Sequence, residues 1–187
     1  MKFKILGSIL LIVSMLSCKN DKSNPETLKP EVVTSKDNFY KVSFNLIVSK
    51  DDNFHLYYTH DGSINFNEKE SIWMPIKGGE SVQTVTFVFP EAVIPTQIRV
   101  DFGFGKNELQ SDVNLKSFKM SYRGKSMEAK DTDILSYFIP FEGYTLVTTG
   151  TSVLKRLKKD QESGPILYPK QKLSLRINEI TSGGSQE

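Results

Sequence analysis

The sequence predicts an all-β fold, an antiparallel β-sandwich of jelly-roll type with a short helical insertion near its C-terminal end. Two observations carry this prediction. Apolar and polar residues alternate with a period of two along seven segments after residue 38. Turns rich in Gly, Asp and Pro separate these segments, and there is little helical periodicity among the first six.

Six strands are expected in the first part of the domain, at residues 42–48, 54–58, 72–76, 81–89, 98–104 and 113–122. A seventh is expected near the C-terminus, because Leu173, Leu175 and Ile177 alternate with polar residues. A last strand that returns beside an early one is typical of a jelly roll.

Two short helical segments are expected between the sixth and seventh strands. Residues 131–136 are predicted to form a helical turn. Residues 151–159, with the sequence TSVLKRLKK, are predicted to form a helix that Thr151 or Ser152 caps. This helix would be an insertion at one end of the sandwich.

Each strand should bury one of its two faces, because successive side chains point to opposite sides of a sheet. A slip of one residue would exchange the faces, so the alternation also predicts which residues form the core. The predicted core residues are Val42, Phe44, Leu46, Leu56, Tyr58, Val85, Phe87, Ile98, Val100, Phe102, Phe118 and Met120.

Length, composition and charge limit the functional classes. The 187 residues, 38% hydrophobic and 25% charged, fit one globular domain with a tail and exclude a disordered chain. Loss of Lys2 and Lys4 with an N-terminal leader would lower the 24 basic residues to match the 22 acidic ones. A nearly neutral chain argues against nucleic-acid binding. A single Cys excludes an intramolecular disulfide, and two His argue against a multi-histidine zinc site.

Residues 1–17 are predicted to be a signal peptide. Lys2 and Lys4 give it a basic start, and its apolar stretch, 5–16, is too short to span a bilayer as a permanent helix. The motif MLSC, which ends at Cys18, resembles the lipobox of bacterial lipoproteins. The resemblance implies a lipid on Cys18 and a place in the bacterial cell envelope, on the outer membrane of a Gram-negative cell. The alternative is a cleaved signal beside an incidental Cys.

The rest of the chain divides into three parts. Residues 18–37 are polar and contain two prolines, which predicts a flexible tether behind the lipid anchor. The sandwich domain is expected over residues 38–181. Residues 182–187, rich in Gly and Ser, are predicted to be a disordered tail.

Catalytic and cofactor-binding signatures do not occur in the sequence, so we predict no enzyme activity and no cofactor. The segment 61–67 carries oxygen-bearing side chains at alternating positions but lacks the Gly and Glu of a calcium loop. A solvated turn is the prediction there, and a bound calcium ion is the alternative. Asp101 is expected to be a surface acid that aids solubility.

Aromatic residues outside the core phase give the candidate ligand site. Tyr57 and Trp73 alternate out of phase with the core residues, which predicts that they lie on the outer face of the sandwich. There they can stack on a sugar ring, while His60 and Asp61 hydrogen-bond its hydroxyls. The alternative is that the loop at 60–70 or the segment 130–160 covers both aromatics.

The order of motifs is similar to that of a known group of modules. The segments YYTHDG at 57–62, VTFVF at 85–89 and IRVDFG at 98–103 carry the resemblance. It is to the jelly-roll modules, themselves similar to carbohydrate-binding modules, that are appended to bacterial membrane glycosyltransferases and polysaccharide-biosynthesis proteins. The resemblance covers residues 39–123 and implies a sandwich fold and a carbohydrate context, without a catalytic role.

Two functional hypotheses follow. The first is a cell-envelope lipoprotein whose non-catalytic module binds glycan or assists in handling envelope polysaccharide. The second is a structural or interaction lipoprotein without a glycan site, which binds another envelope protein through a sheet face or edge.

Overall fold

Two antiparallel sheets pack face to face in the computed structural model, which describes residues 38–105 and 112–182. A 3-10 helix covers Asp131–Ser136, and helix α1 covers Gln171–Thr181. Within the described ranges the strands are β1 (Lys41–Val48), β2 (Asp52–Thr59), β3 (Ser71–Ile76), β4 (Gly79–Val88), β5 (Gln97–Phe102), β6 (Val113–Tyr122), β7 (Lys125–Lys130), β8 (Phe138–Pro140), β9 (Thr145–Val147), β10 (Val153–Arg156) and β11 (Ile166–Pro169).

The chain distributes these strands over two sheets. The first sheet has the order β4-β1-β6-β10-β9, and β7 also pairs with β6. The second sheet has the order β3-β2-β5-β11-β8. The predicted antiparallel sandwich is therefore confirmed, and helix α1 lies at the C-terminal end of the described residues. The expected helical turn at residues 131–136 is also present, as the 3-10 helix.

The core lies between the sheets and is rich in Phe. In β1, buried residues alternate with half-buried ones along the whole strand, as period-two patterning requires. Phe44 of β1 pairs with Val85 and Phe118 in its own sheet and meets Phe102 of the second sheet edge-on, with ring centroids 5.4 Å apart. Every predicted core residue is buried, so the predicted inward faces of β1, β2, β4, β5 and β6 are confirmed.

The helix expected at 151–159 is wrong. Residues Val153–Arg156 form β10, which pairs with both β6 and β9. Leu154 is fully buried by this pairing. A helix this short has little intrinsic stability in water, so the hydrogen bonds and burial available in the sheet determine the conformation.

The strand expected at Leu173, Leu175 and Ile177 is also wrong, because these residues lie in α1. The helix buries Leu173, Ile177 and Ile180, which are spaced by four and then three residues and so share one helical face. Leu175 is 54% exposed. The last strand is therefore β11, which pairs with β5 and β8 instead of returning beside β1.

Some predictions concern residues outside the described ranges. The signal peptide at 1–17, the tether at 18–37 with its acylated Cys18, and residues 183–187 of the tail are among them. No helix in the described ranges has both the length and the apolar character that crossing a bilayer requires.

Candidate functional site

The outer face of the second sheet carries the residues of the candidate site. In β2, Phe54, Leu56 and Tyr58 point into the core, so His55 and Tyr57 point outward. His55 lies directly opposite Trp73 of β3. Tyr57 and Trp73 therefore share one face, as predicted, and Trp73 is 41% exposed.

Strand β5 extends this face. It places Asp101 beside His55 and Arg99 beside Tyr57. Together these residues border a cleft of about 300 Å³, which we call the aromatic cleft. Its lining residues are His55, Tyr57, Trp73, Arg99, Asp101, Gly103, Phe104, Phe141, Tyr144, Glu162, Ser163, Ile166 and Tyr168.

The centre of the cleft holds an ion pair between neighbours on β5. Arg99 donates two hydrogen bonds to the Asp101 carboxylate, from Nε to Oδ1 at 2.8 Å and from Nη2 to Oδ2 at 2.5 Å. Asp101 is only 5% exposed, so the expectation of a solvated surface acid is wrong. Residues two apart in a strand project to the same side, which lets Arg99 cover the carboxylate.

Two tyrosine rings flank the Arg99 guanidinium. Its Cζ lies 4.5 Å from the centroid of Tyr57 and 5.2 Å from that of Tyr168. Arg99 also donates a hydrogen bond from Nη1 to the Tyr168 hydroxyl at 3.3 Å. These cation–π contacts, together with the ion pair, fix both the side chain and the orientation of the rings.

His55 is enclosed by aromatic rings. Its ring stacks on Trp73 with centroids 3.7 Å apart and lies 3.8 Å from the ring centroid of Tyr57. It is 2% exposed, and Nε2 has no hydrogen-bond partner among the residues that the structure describes. Burial lowers the pKa of His55, so the ring is neutral at neutral pH.

Glu68 closes the rim of the cleft beside these rings. Trp73 donates from Nε1 to Glu68 Oε1 at 2.9 Å, and Tyr57 donates its hydroxyl to Oε2 at 3.2 Å. Glu68 Oε1 also lies 3.7 Å from His55 Nε2. Burial, followed by the negative charges of Asp101 and Glu68, raises the pKa of Tyr57 to about 12.

The opposite wall of the cleft is a loop held by side-chain hydrogen bonds. Gln161, which is buried, donates from Nε2 to the carbonyls of Tyr144 and Ser163. Arg156 donates to the carbonyls of Gly105 and Gln161. These bonds hold the segment that brings Glu162 and Ser163 to the cleft.

Two further aromatic residues, Phe104 and Phe141, also line the cleft. The strand that was expected to reach residue 104 ends at Phe102 and is followed by Gly103, which has a φ of 131°. The ring of Phe104 then meets that of Trp73 edge-on, with centroids 4.9 Å apart. On the other side, the ring of Phe141 lies 5.4 Å from that of Tyr168. An apolar groove of about 510 Å³ begins there, lined by Ile64, Ile139, Pro140, Phe141, Glu142, Tyr168 and Pro169.

The structure does not bring His60 and Asp61 to the cleft, although both were predicted site residues. His60 Nδ1 lies 3.0 Å from the Ile94 carbonyl, and its ring contacts Tyr58 on the core side of β2. Asp61 accepts a hydrogen bond from the backbone of Ser63 in its own turn. Within the described parts of the chain, no three His, Cys, Asp or Glu side chains come close enough together to hold a metal ion.

Comparisons with known proteins add nothing to this geometry. The chain matches no protein-family model, no curated protein and no solved structure.

Several residues of the cleft were not among the predicted site residues. Arg99 and Asp101 are two residues apart in a predicted strand, so they lie on one face of it, and the pairing of β2 with β5 makes this the sheet face of Tyr57. The two-residue spacing was the one feature of the sequence that could have indicated them. Glu68 and Tyr168 gave no comparable signal, because a loop and a later strand bring them to the site.

Proposed function

We propose that this protein is a cell-envelope lipoprotein whose sandwich domain binds glycan, without catalysis, in the aromatic cleft. The observation that carries the proposal is the exposed ring of Trp73, which lies on the same sheet face as Tyr57 and next to the polar centre formed by Arg99 and Asp101.

The chemistry of the cleft suits a sugar. A sugar ring presents C–H groups on its flat faces and hydroxyls around its edge. His55 covers one face of the Trp73 indole, but Trp73 and Phe104 remain 41% and 61% exposed and offer an apolar surface to the C–H groups. Glu68 supplies acceptors and Arg99 supplies donors for the hydroxyls beside that surface.

The cleft is also held in one geometry before any ligand arrives. Its guanidinium is fixed by Asp101, Tyr57 and Tyr168, and its indole by Glu68 and His55. Few side chains would have to be ordered on binding, and this lowers the entropic cost of association.

The lipobox-like motif supports the location. An acyl chain on Cys18 would hold the domain at a membrane surface, where envelope polysaccharide is concentrated, and two chains anchor far more strongly than one. The resemblance to modules appended to polysaccharide-biosynthesis enzymes points to the same carbohydrate context.

Glycan-array screening followed by calorimetry tests the proposal, with Trp73→Ala as the variant. We expect Trp73→Ala to lose at least about tenfold in affinity, because truncating a central aromatic commonly costs more than about 1.4 kcal/mol of binding free energy. Its melting temperature should stay within a few degrees, since the ring lies outside the core. Phe39→Ala is the matched control, because Phe39 is also aromatic, 40% exposed and outside the cleft.

The apolar groove beside Phe141 favours the alternative, docking of another envelope protein. Ile64 and Ile139 are exposed in it, and exposed apolar surface of this kind commonly marks protein contacts. If no glycan binds, while a cross-link to an envelope protein is lost in Ile139→Glu and kept in Trp73→Ala, the interaction function replaces the glycan-binding one.

A further inference from the structure

We infer that the aromatic cleft prefers glycans that carry a free amino group and rejects acidic ones. This inference rests on the proposed glycan-binding function and specifies the chemical class of the ligand. It follows from the charges around the cleft, from the exposed aromatic faces, and from one buried polar atom that lacks a partner.

Negative charge exceeds positive charge at the cleft. Asp101 and Glu162 line it, and Glu68 lies at its rim. Among the described residues, Arg99 is the one cation in the lining, because His55 is neutral, and its charge is already matched by the two hydrogen bonds to Asp101. The carboxylates of Glu68 and Glu162 therefore have no cationic partner in the described lining.

These two carboxylates face solvent, where a ligand can reach them. The side chain of Glu68 is 64% exposed, and Glu162 is also exposed. Glu68 accepts one hydrogen bond on each oxygen, from Trp73 and Tyr57, and a carboxylate has further lone pairs to offer. An ammonium group held there would gain a charge-assisted hydrogen bond.

The aromatic rings add a second attraction for a cation. Glu68 Oε1 lies 2.9 Å from the indole nitrogen of Trp73, so a sugar stacked on this ring brings its edge substituents to the carboxylate. The exposed parts of the Trp73 and Phe104 rings also attract a cation through their π electrons. A uronic acid in the same position would be repelled by Glu68, because both groups carry a negative charge.

His55 provides an independent sign that the cleft takes a polar ligand. The residue is 2% exposed and lines the cleft, and its Nε2 lacks a hydrogen-bond partner in the described structure. Buried polar atoms are rarely left unpaired. Nε2 lies 3.7 Å from Glu68 Oε1, so a small movement of Glu68 toward a bound ammonium would expose Nε2 to a neighbouring sugar hydroxyl.

The test compares three hexasaccharides by calorimetry: glucosamine, N-acetylglucosamine and galacturonic acid. They are measured at about pH 6, where most of the sugar amines are protonated and the Glu and uronic acid carboxylates remain ionised. We expect the glucosamine hexamer to bind about fivefold more tightly than its acetylated counterpart, the size of one partly exposed ion pair. The galacturonic acid hexamer should bind weakest. In the double variant Glu68→Gln/Glu162→Gln the amine preference should disappear.

A carboxylate far from the cleft provides the control. Glu80→Gln removes an exposed charge from β4 in the other sheet, and the amine preference should persist in that variant. A pentalysine peptide is measured in parallel, because a basic protein segment would offer ammonium groups without a sugar ring.

The outcomes separate this inference from the proposed function. Equal affinity for the amine and acetyl hexamers, tighter binding of the galacturonic acid hexamer, or an amine preference that survives in the double variant overturns the charge selection and leaves glycan binding intact. Tighter binding of pentalysine than of the glucosamine hexamer overturns the choice of a sugar ligand. If none of the three hexamers binds, glycan binding itself is wrong, and this inference fails with it.

Discussion

His55 links the stability of the domain to pH. Burial lowers its pKa in the folded protein below the value of about 6.5 that it has in an unfolded chain. As the pH falls, the unfolded chain therefore takes up the proton first. Stability that is fully present above about pH 6.5 is lost as the pH falls from there toward the folded-state pKa.

The prediction is checked with denaturant midpoints at about pH 7.5 and about pH 5.5. The wild type should lose more stability between these two values than His55→Phe, which keeps a ring next to Trp73 and cannot be protonated. An equal loss in the two proteins would show that His55 does not titrate as its burial requires.

Phe102 reports on the core. It is fully buried and touches Phe44 of the other sheet and Phe54 of its own, with ring centroids 5.4 Å and 5.1 Å away. Phe102→Ala should lower the free energy of unfolding by about 3–5 kcal/mol, since it removes this packing and leaves a cavity. Urea unfolding measures the change, with the exposed Lys119→Ala on β6 as the control. A Phe102→Ala protein as stable as the parent would contradict the register of β5.

At the scale of the strands, Gly164 allows the loop after β10 to pack closely against the end of β5. A Cβ at this position would lie 1.9 Å from the carbonyl oxygen of Phe102, far inside contact distance. Gly164 also donates its N–H to the Gly103 carbonyl at 2.9 Å. The loop that carries Glu162 into the cleft can therefore pack against β5 only with a residue that has no side chain.

Gly164→Ala should destabilise the domain by about 1–3 kcal/mol or more, because the loop must move away from β5. It should also weaken glycan binding, since the wall of the cleft moves with the loop. Gly79→Ala is the matched control, because a Cβ there meets nothing within 4 Å. Equal melting temperatures for the two variants would contradict the close approach.

The alternation of apolar and polar residues was sufficient to predict the central strands and insufficient to predict the C-terminal elements. In β1 to β6 each strand has at least six residues, and the alternation of Phe, Leu and Val was long enough to define a face. The strands β8 to β11 have three or four residues, too few for a period to be visible. In α1, Leu173 and Ile177 are four residues apart and fit either period. Ile180, seven residues after Leu173, fits the helical period and not the two-residue one. Its burial with Leu173 and Ile177 on one helical face is seen only in the structure.

The residues of the candidate site could be predicted from the sequence only where they lie on long strands. Tyr57 and Trp73 lie on long strands, and their shared face followed from the alternation. His60 and Asp61 follow the last residue of β2, where the two-residue period no longer fixes the direction of a side chain. Glu68 and Tyr168 reach the cleft through tertiary contacts, which a single sequence does not encode as a local pattern.

For the whole molecule, the proposed anchoring places the cleft at a membrane surface. Cys18→Ser removes the sulfur that a lipid would modify, so we expect the variant to leave the membrane fraction while the wild type stays in it. Fractionation of cells and immunoblotting measure the distribution. A Cys18→Ser protein that still sediments fully with membranes would contradict lipid anchoring, and glycan binding by the domain would be unaffected.

The two outer strands of the sheet that carries the cleft, β3 and β8, each contain a proline. These residues are Pro75 and Pro140. A proline has no N–H to offer to an added strand, and its presence on an edge hinders sheet extension. Copies crowded together on a membrane would therefore resist joining this sheet edge to edge into a continuous ladder. Recognition on this side of the molecule is left to the sheet face that carries the aromatic cleft.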